Sequence, residues 1–77
     1  MKKPKVIMLQ WKDSASNSGW ISPSESNTAE VLSIGIFLYE TKDRVAISTS
    51  VAWGGEDAID VLCIPKSCIT SRRWIKI

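Results

Sequence analysis

From Lys5 to Lys12 the chain reads KVIMLQWK, with Ile7, Leu9 and Trp11 on one phase and polar groups entering the other at Gln10 and Lys12. An apolar run with a period of two and no helix cap predicts a first strand. Residues 13–29 are rich in Ser, Asn, Gly and Pro and predict a loop, with room for one helical turn over Ser24–Val31 capped by Ser24. Val31 to Glu40, VLSIGIFLYE, is the clearest strand. Leu32, Ile34, Ile36 and Leu38 form its apolar row, and Ser33, Gly35, Phe37 and Tyr39 form the other. Gly35 in mid-strand predicts a bulge or sharp bend.

A turn at Thr41–Arg44 precedes a second alternating run, Val45 to Trp53, in which Val45, Ile47, Thr49, Val51 and Trp53 share a side. The GGED stretch that follows predicts another turn. Ile59–Ile64 predicts a strand stopped by Pro65, which cannot donate to a central ladder. A short turn over Lys66–Cys68 leads into a last strand, Ile69–Ile77. Five short strands with at most one helical turn predict a single all-β domain over residues 1–77. A long first loop, a bent second strand and a Pro-marked turn fit a small SH3-like or Sm-like barrel, and a five-stranded OB-type barrel fits nearly as well.

Composition narrows the chemistry. With 77 residues, 44% of them hydrophobic and 23% charged, the chain is an ordinary folded domain with a thin stability margin. Its net charge is +2. Four basic residues (Lys2, Lys3, Lys5, Lys12) open the chain and four (Lys66, Arg72, Arg73, Lys76) close it, while seven of the eight carboxylates fall between Glu25 and Asp60. That polarity suits an anionic partner at one pole. There is no histidine, so ordinary Ser-His and Cys-His pairs and an imidazole base are excluded, and a non-catalytic protein without metal or cofactor is expected. Cys63 and Cys68 fit neither a CxxC pair nor half of a zinc site. Cys63 is expected as a buried, reduced thiol. The basic opening is too short for a secretory signal and nothing approaches a membrane span, so a cytoplasmic protein is expected.

The aromatic residues sort by phase. Trp11 and Trp53 share rows with strand aliphatics and are expected in the core. Trp20 ends a hydroxyl-rich loop, WKDSASNSGW, as a lid on the core or one wall of a pocket. Trp74 shares its row with Thr70, Arg72 and Lys76, away from Ile69, Ile75 and Ile77. A ring among cations suits base stacking with phosphate contacts nearby, or burial at a subunit interface. Phe37 and Tyr39 stand opposite the apolar row of their strand. Either residues 13–29 or a second subunit must cover them, and a homo-oligomer with Phe37 and Tyr39 at its interface is the preferred expectation.

Three stretches in order resemble a group of short phage- and prophage-encoded proteins. They are a W-x-D-x-x-S opening (Trp11, Asp13, Ser16) closed by Gly19-Trp20, a G-x-x-x-x-E-T-x-D middle (Gly35, Glu40, Thr41, Asp43), and an I-P-K-x-x-I end (Ile64, Pro65, Lys66, Ile69). The chain departs from that pattern after Ile69, where Ser71-Arg72-Arg73 precede Trp74. The resemblance implies a viral accessory gene expressed in a bacterial cytoplasm, and by analogy a counter-defence protein that acts by binding.

The first expectation is sequestration of a small nucleotide-like ligand. Ser14, Ser16 and Asn17 would hold ribose and phosphate oxygens, Trp20 or Trp74 would stack the base, and Lys66 or Arg72 would neutralise phosphate. Binding of single-stranded nucleic acid is the alternative, and inhibition of a host protein through the Phe37 and Tyr39 face is a third.

Overall fold

The computed structural model describes residues 3–13, 29–54 and 56–77. Among them run seven strands: β1 (Val6–Asp13), β2 (Ala29–Glu40), β3 (Arg44–Ser48), β4 (Ser50–Val51), β5 (Ala58–Ile59), β6 (Leu62–Pro65) and β7 (Ile69–Ile75). Five form one antiparallel sheet in the order β6-β3-β2-β1-β7, and β4 pairs with β5 in a separate ribbon. The fold is the expected small all-β domain, and among the described residues a 3₁₀ turn spans Lys66–Cys68 between β6 and β7. Those two strands are the edges of the sheet, so the barrel is open along that seam.

β2 serves two halves of the sheet. Along Ala29–Ile36 it pairs with β1, which carries β7; along Ile36–Glu40 it pairs with β3, which carries β6. Ile7 and Leu9 come from the first half and Val45, Ile47 and Ile64 from the second, yet the five form one buried cluster. The sheet is therefore folded across β2 so that one face closes on itself. Gly35 lies at the fold. A Cβ there would sit 3.0 Å from the Ser48 carbonyl oxygen and 3.1 Å from Ile47 Cβ, so the absence of a side chain lets β3 close in. The expected distortion falls slightly later, as a register shift between Phe37 and Tyr39.

Several expectations are corrected by this arrangement. The inward row of β2 is the one with Ser33, Gly35 and Phe37, which pair with Leu9, Ile7 and Ile47. Leu32 and Ile34 are 57% exposed. Phe37 packs on the core, so no second subunit is needed to cover it. The register shift sends Tyr39 to the outer face, where Arg44 Nε donates to its hydroxyl at 3.2 Å. Cys63 is exposed there too, 3.8 Å from the Tyr39 hydroxyl. The Val45–Trp53 strand breaks at Thr49, and Trp53 lies beyond β4, 79% exposed. Ala29–Val31 is strand rather than helical turn; the rest of that proposed turn, with Ser24, lies outside the described residues. In β7, a shift opposite Gln10 and Trp11 turns Ile69 onto the core side.

Trp11 does pack on the core, and its indole N–H donates to Ser33 Oγ at 3.1 Å. A polar atom on an otherwise apolar ring thus meets its partner inside the inward row. No helix among the described residues is long and apolar enough to cross a membrane.

Candidate functional site

The site builds outward from β7. An edge strand keeps one flank open, so side chains on its inward row are covered only in part. Trp74 stands opposite Ile7 in the ladder and meets Phe37 edge to face, with ring centroids 5.2 Å apart and planes at 68°. That contact anchors the indole while 48% of the residue remains exposed. Lys5, two residues before Ile7 and therefore on the same row, places Nζ 5.7 Å from the Trp74 ring centroid. Lys3 Nζ donates to Ile77 O at 3.0 Å. The Lys3–Lys5 segment and Trp74–Ile77 together enclose an open recess of about 430 Å³.

Arg72 lies two residues from Trp74 on the same row, roughly 7 Å along the strand. It does not point a free guanidinium at this recess. Its two terminal nitrogens donate to Glu40 Oε1 and Oε2 at 3.1 and 3.2 Å. Lys66 Nζ reaches Glu40 Oε2 at 2.6 Å. The two cations expected to hold phosphate are thus brought together by a carboxylate, leaving a net single positive charge beside a shallow depression of about 420 Å³ at Lys66, Thr70 and Arg72. An anion arriving there must compete with Glu40.

Hydrogen bonds from Arg72 and then Lys66 hold the Glu40 carboxyl down from 4.5 to about 2. Since folding lowers this pKa, the ion pair stabilises the fold above pH 4.5 and loses that effect as pH falls toward 2. Wild type is expected to lose stability across that window more steeply than Glu40→Gln, read by denaturant melts at successive pH values. Parallel profiles for the two proteins would show that the triad does not contribute to folding.

Two of the three stretches singled out in the sequence meet here. Thr41 Oγ1 accepts from the Asp43 and Arg44 amides at 3.1 and 3.2 Å, which closes the turn after Glu40. The Asp43 carbonyl accepts the Lys66 amide at 2.8 Å, and Arg44 pairs with Pro65. The E-T-x-D and I-P-K stretches are therefore one local structure that positions the Glu40–Lys66–Arg72 triad.

Of the expected ligand-binding residues, Trp74, Arg72 and Lys66 gather along β7 and the 3₁₀ turn, while Ser14, Ser16, Asn17 and Trp20 lie outside the described residues. Lys5 and Glu40 were missed as site residues. Lys5 carries the phase of Ile7, but only the β1–β7 register places it over Trp74. Glu40 has no signal by spacing, because its partners are 26 and 32 residues away. Among the described residues no group of three or more His, Cys, Asp or Glu is placed to hold a metal ion. Comparison of the chain with protein-family models, curated proteins and solved structures finds no match.

Proposed function

We propose that this chain is a non-catalytic binding protein for a nucleotide-like ligand, a phage accessory protein that withholds such a ligand from the defences of an infected bacterium. Trp74 carries the reading. Its ring meets Phe37 edge to face, carries Lys5 over it, and is about half exposed. A base would stack on the open indole and a phosphate would meet Lys5 or Lys76, which among the described residues form no ion pair with a carboxylate. Arg72 and Lys66 would add a second, weaker phosphate contact, since Glu40 already occupies them. The roles of Ser14, Ser16, Asn17 and Trp20 in this reading rest on the sequence alone. The viral setting and cytoplasmic location rest on the three-stretch resemblance.

One observation favours a second reading, single-stranded nucleic acid. Trp74 sits on an open strand edge, with Lys5 and Lys76 at one end and the Arg72–Lys66 pair at the other, so a strand could cross the ring with phosphates on both sides.

Calorimetric titration with a nucleoside monophosphate and with a short single-stranded oligonucleotide tests both. Binding is expected, and Trp74→Ala should weaken it about 5- to 150-fold while Trp74→Phe retains most of it. Steep salt dependence and preference for the oligonucleotide would select the second reading. No binding of either, or unchanged affinity in a folded Trp74→Ala variant, would overturn the proposal.

A further inference from the structure

Among the described residues, the outer edge of β2 from Ala29 to Gly35 has no partner strand: β1 holds the inner edge, and β3 begins pairing only at Ile36. The Phe37 amide donates toward β1, to Lys5 O at 2.8 Å. Backbone groups of an antiparallel strand alternate sides, so Ile36, Ile34 and Leu32 turn theirs the other way. For Ile36 that side is β3. For Ile34 and Leu32 no described strand lies on that side, and their side chains are both exposed at 57%. A cleft of about 360 Å³ adjoins this edge, with Leu32 and Ile34 on its lining and Ile47, Asp60 and Leu62 beyond.

Among the described residues nothing pairs with the backbone N–H and C=O groups of Leu32 and Ile34, and such groups flanked by apolar side chains are a template for another strand. We infer that the occupant is a second copy of this chain, its β2 pairing antiparallel with this β2 about a twofold axis at Ser33. A segment pairing antiparallel with itself is what a twofold axis produces. With the axis at Ser33, Leu32 of each copy faces Ile34 of the other, and the four residues exchange four backbone hydrogen bonds across one apolar face.

The neighbouring registers are worse. An axis at Leu32 sets the Glu30 carboxylate against Ile34 of the other copy. An axis at Ile34 runs the incoming strand into β3, because Ser48 already holds Ile36. The paired stretch is then Val31–Gly35, with the chain leaving the ladder at Glu30. This interface lies across β1 from Trp74 and is independent of what that ring binds.

Analytical ultracentrifugation of the full chain across a concentration series tests the inference, together with amide hydrogen exchange resolved by residue. A reversible dimer is expected, with the Leu32 and Ile34 amides slowing about tenfold or more as it forms. Ile34→Lys and, separately, Leu32→Lys should abolish the dimer and leave the monomer's melting unchanged, since both side chains are exposed. Three results would each overturn the inference: a monomer at every concentration, a dimer whose Leu32 and Ile34 amides exchange as in the monomer, or a dimer that survives both substitutions.

Discussion

Leu9→Ala is expected to lower the unfolding free energy by about 3 kcal/mol, a fall in midpoint temperature of roughly 12–24 °C for a domain of this size. Leu9 is fully buried and packs in the cluster that joins the two halves of the sheet. Truncation removes apolar area and leaves a cavity that neither half can fill without moving the other. A domain of 77 residues holds a total of about 4–12 kcal/mol, so one such change takes a large fraction of it. Leu32→Ala, measured where the chain is monomeric, is the control. It removes the same atoms from an exposed site and should change stability by less than about 0.5 kcal/mol. If Leu32→Ala proved the more damaging of the two, the assignment of the inward row of β2 would be wrong.

The second large effect is expected at Gly35. Valine there would bring its Cβ within 3.0 Å of the Ser48 carbonyl oxygen and 3.1 Å of Ile47 Cβ and Cδ1, and its two γ-carbons would need further space. The carbonyl belongs to backbone and cannot rotate away as a flexible side chain could. β3 must therefore lift from β2, opening the core at Ile47. The cost should be about 3 kcal/mol, with faster exchange of the β3 amides than in wild type. Alanine should cost less, since it adds one atom where valine adds three. A Gly35→Val protein as stable as wild type would mean that the close approach of β3 is not required.

These two sites also show where the sequence was legible. The alternation in Arg44–Ser48 was clear because Val45 and Ile47 alternate with Arg44, Ala46 and Ser48, and in Val6–Asp13 the inward row was marked by Ile7, Leu9 and Trp11 against Gln10 and Lys12. In β2 both rows looked hydrophobic, and a reading by bulk chooses Leu32, Ile34 and Ile36 over Ser33, Gly35 and Phe37. The fold chooses the second row because Gly35 leaves space for β3 and Ser33 meets the Trp11 indole, and both reasons belong to other strands. Trp53 failed for a related reason. Its phase continued that of Val45 and Ile47, but the chain breaks at Thr49, whose hydroxyl bonds Asp60 at 3.2 Å. At the candidate site, a ring among cations was readable at Trp74 from local phase. The capture of Lys66 and Arg72 by Glu40 was not, because a contact across 26 and 32 residues leaves no local pattern.

The pairing of β1 with β7 sets a condition on how this chain reaches its fold. Val6 lies beside Ile75, so the ladder closes only when nearly the whole described chain has been drawn into a single loop. Closing so long a loop early is entropically costly, and folding dominated by such pairings runs in milliseconds to seconds rather than microseconds. Until β7 arrives, Ile7 and Leu9 lack one flank and Phe37 lacks its cover from Trp74. The Trp74 surface is completed only by that pairing, so a delay in closing the ladder delays that surface with it.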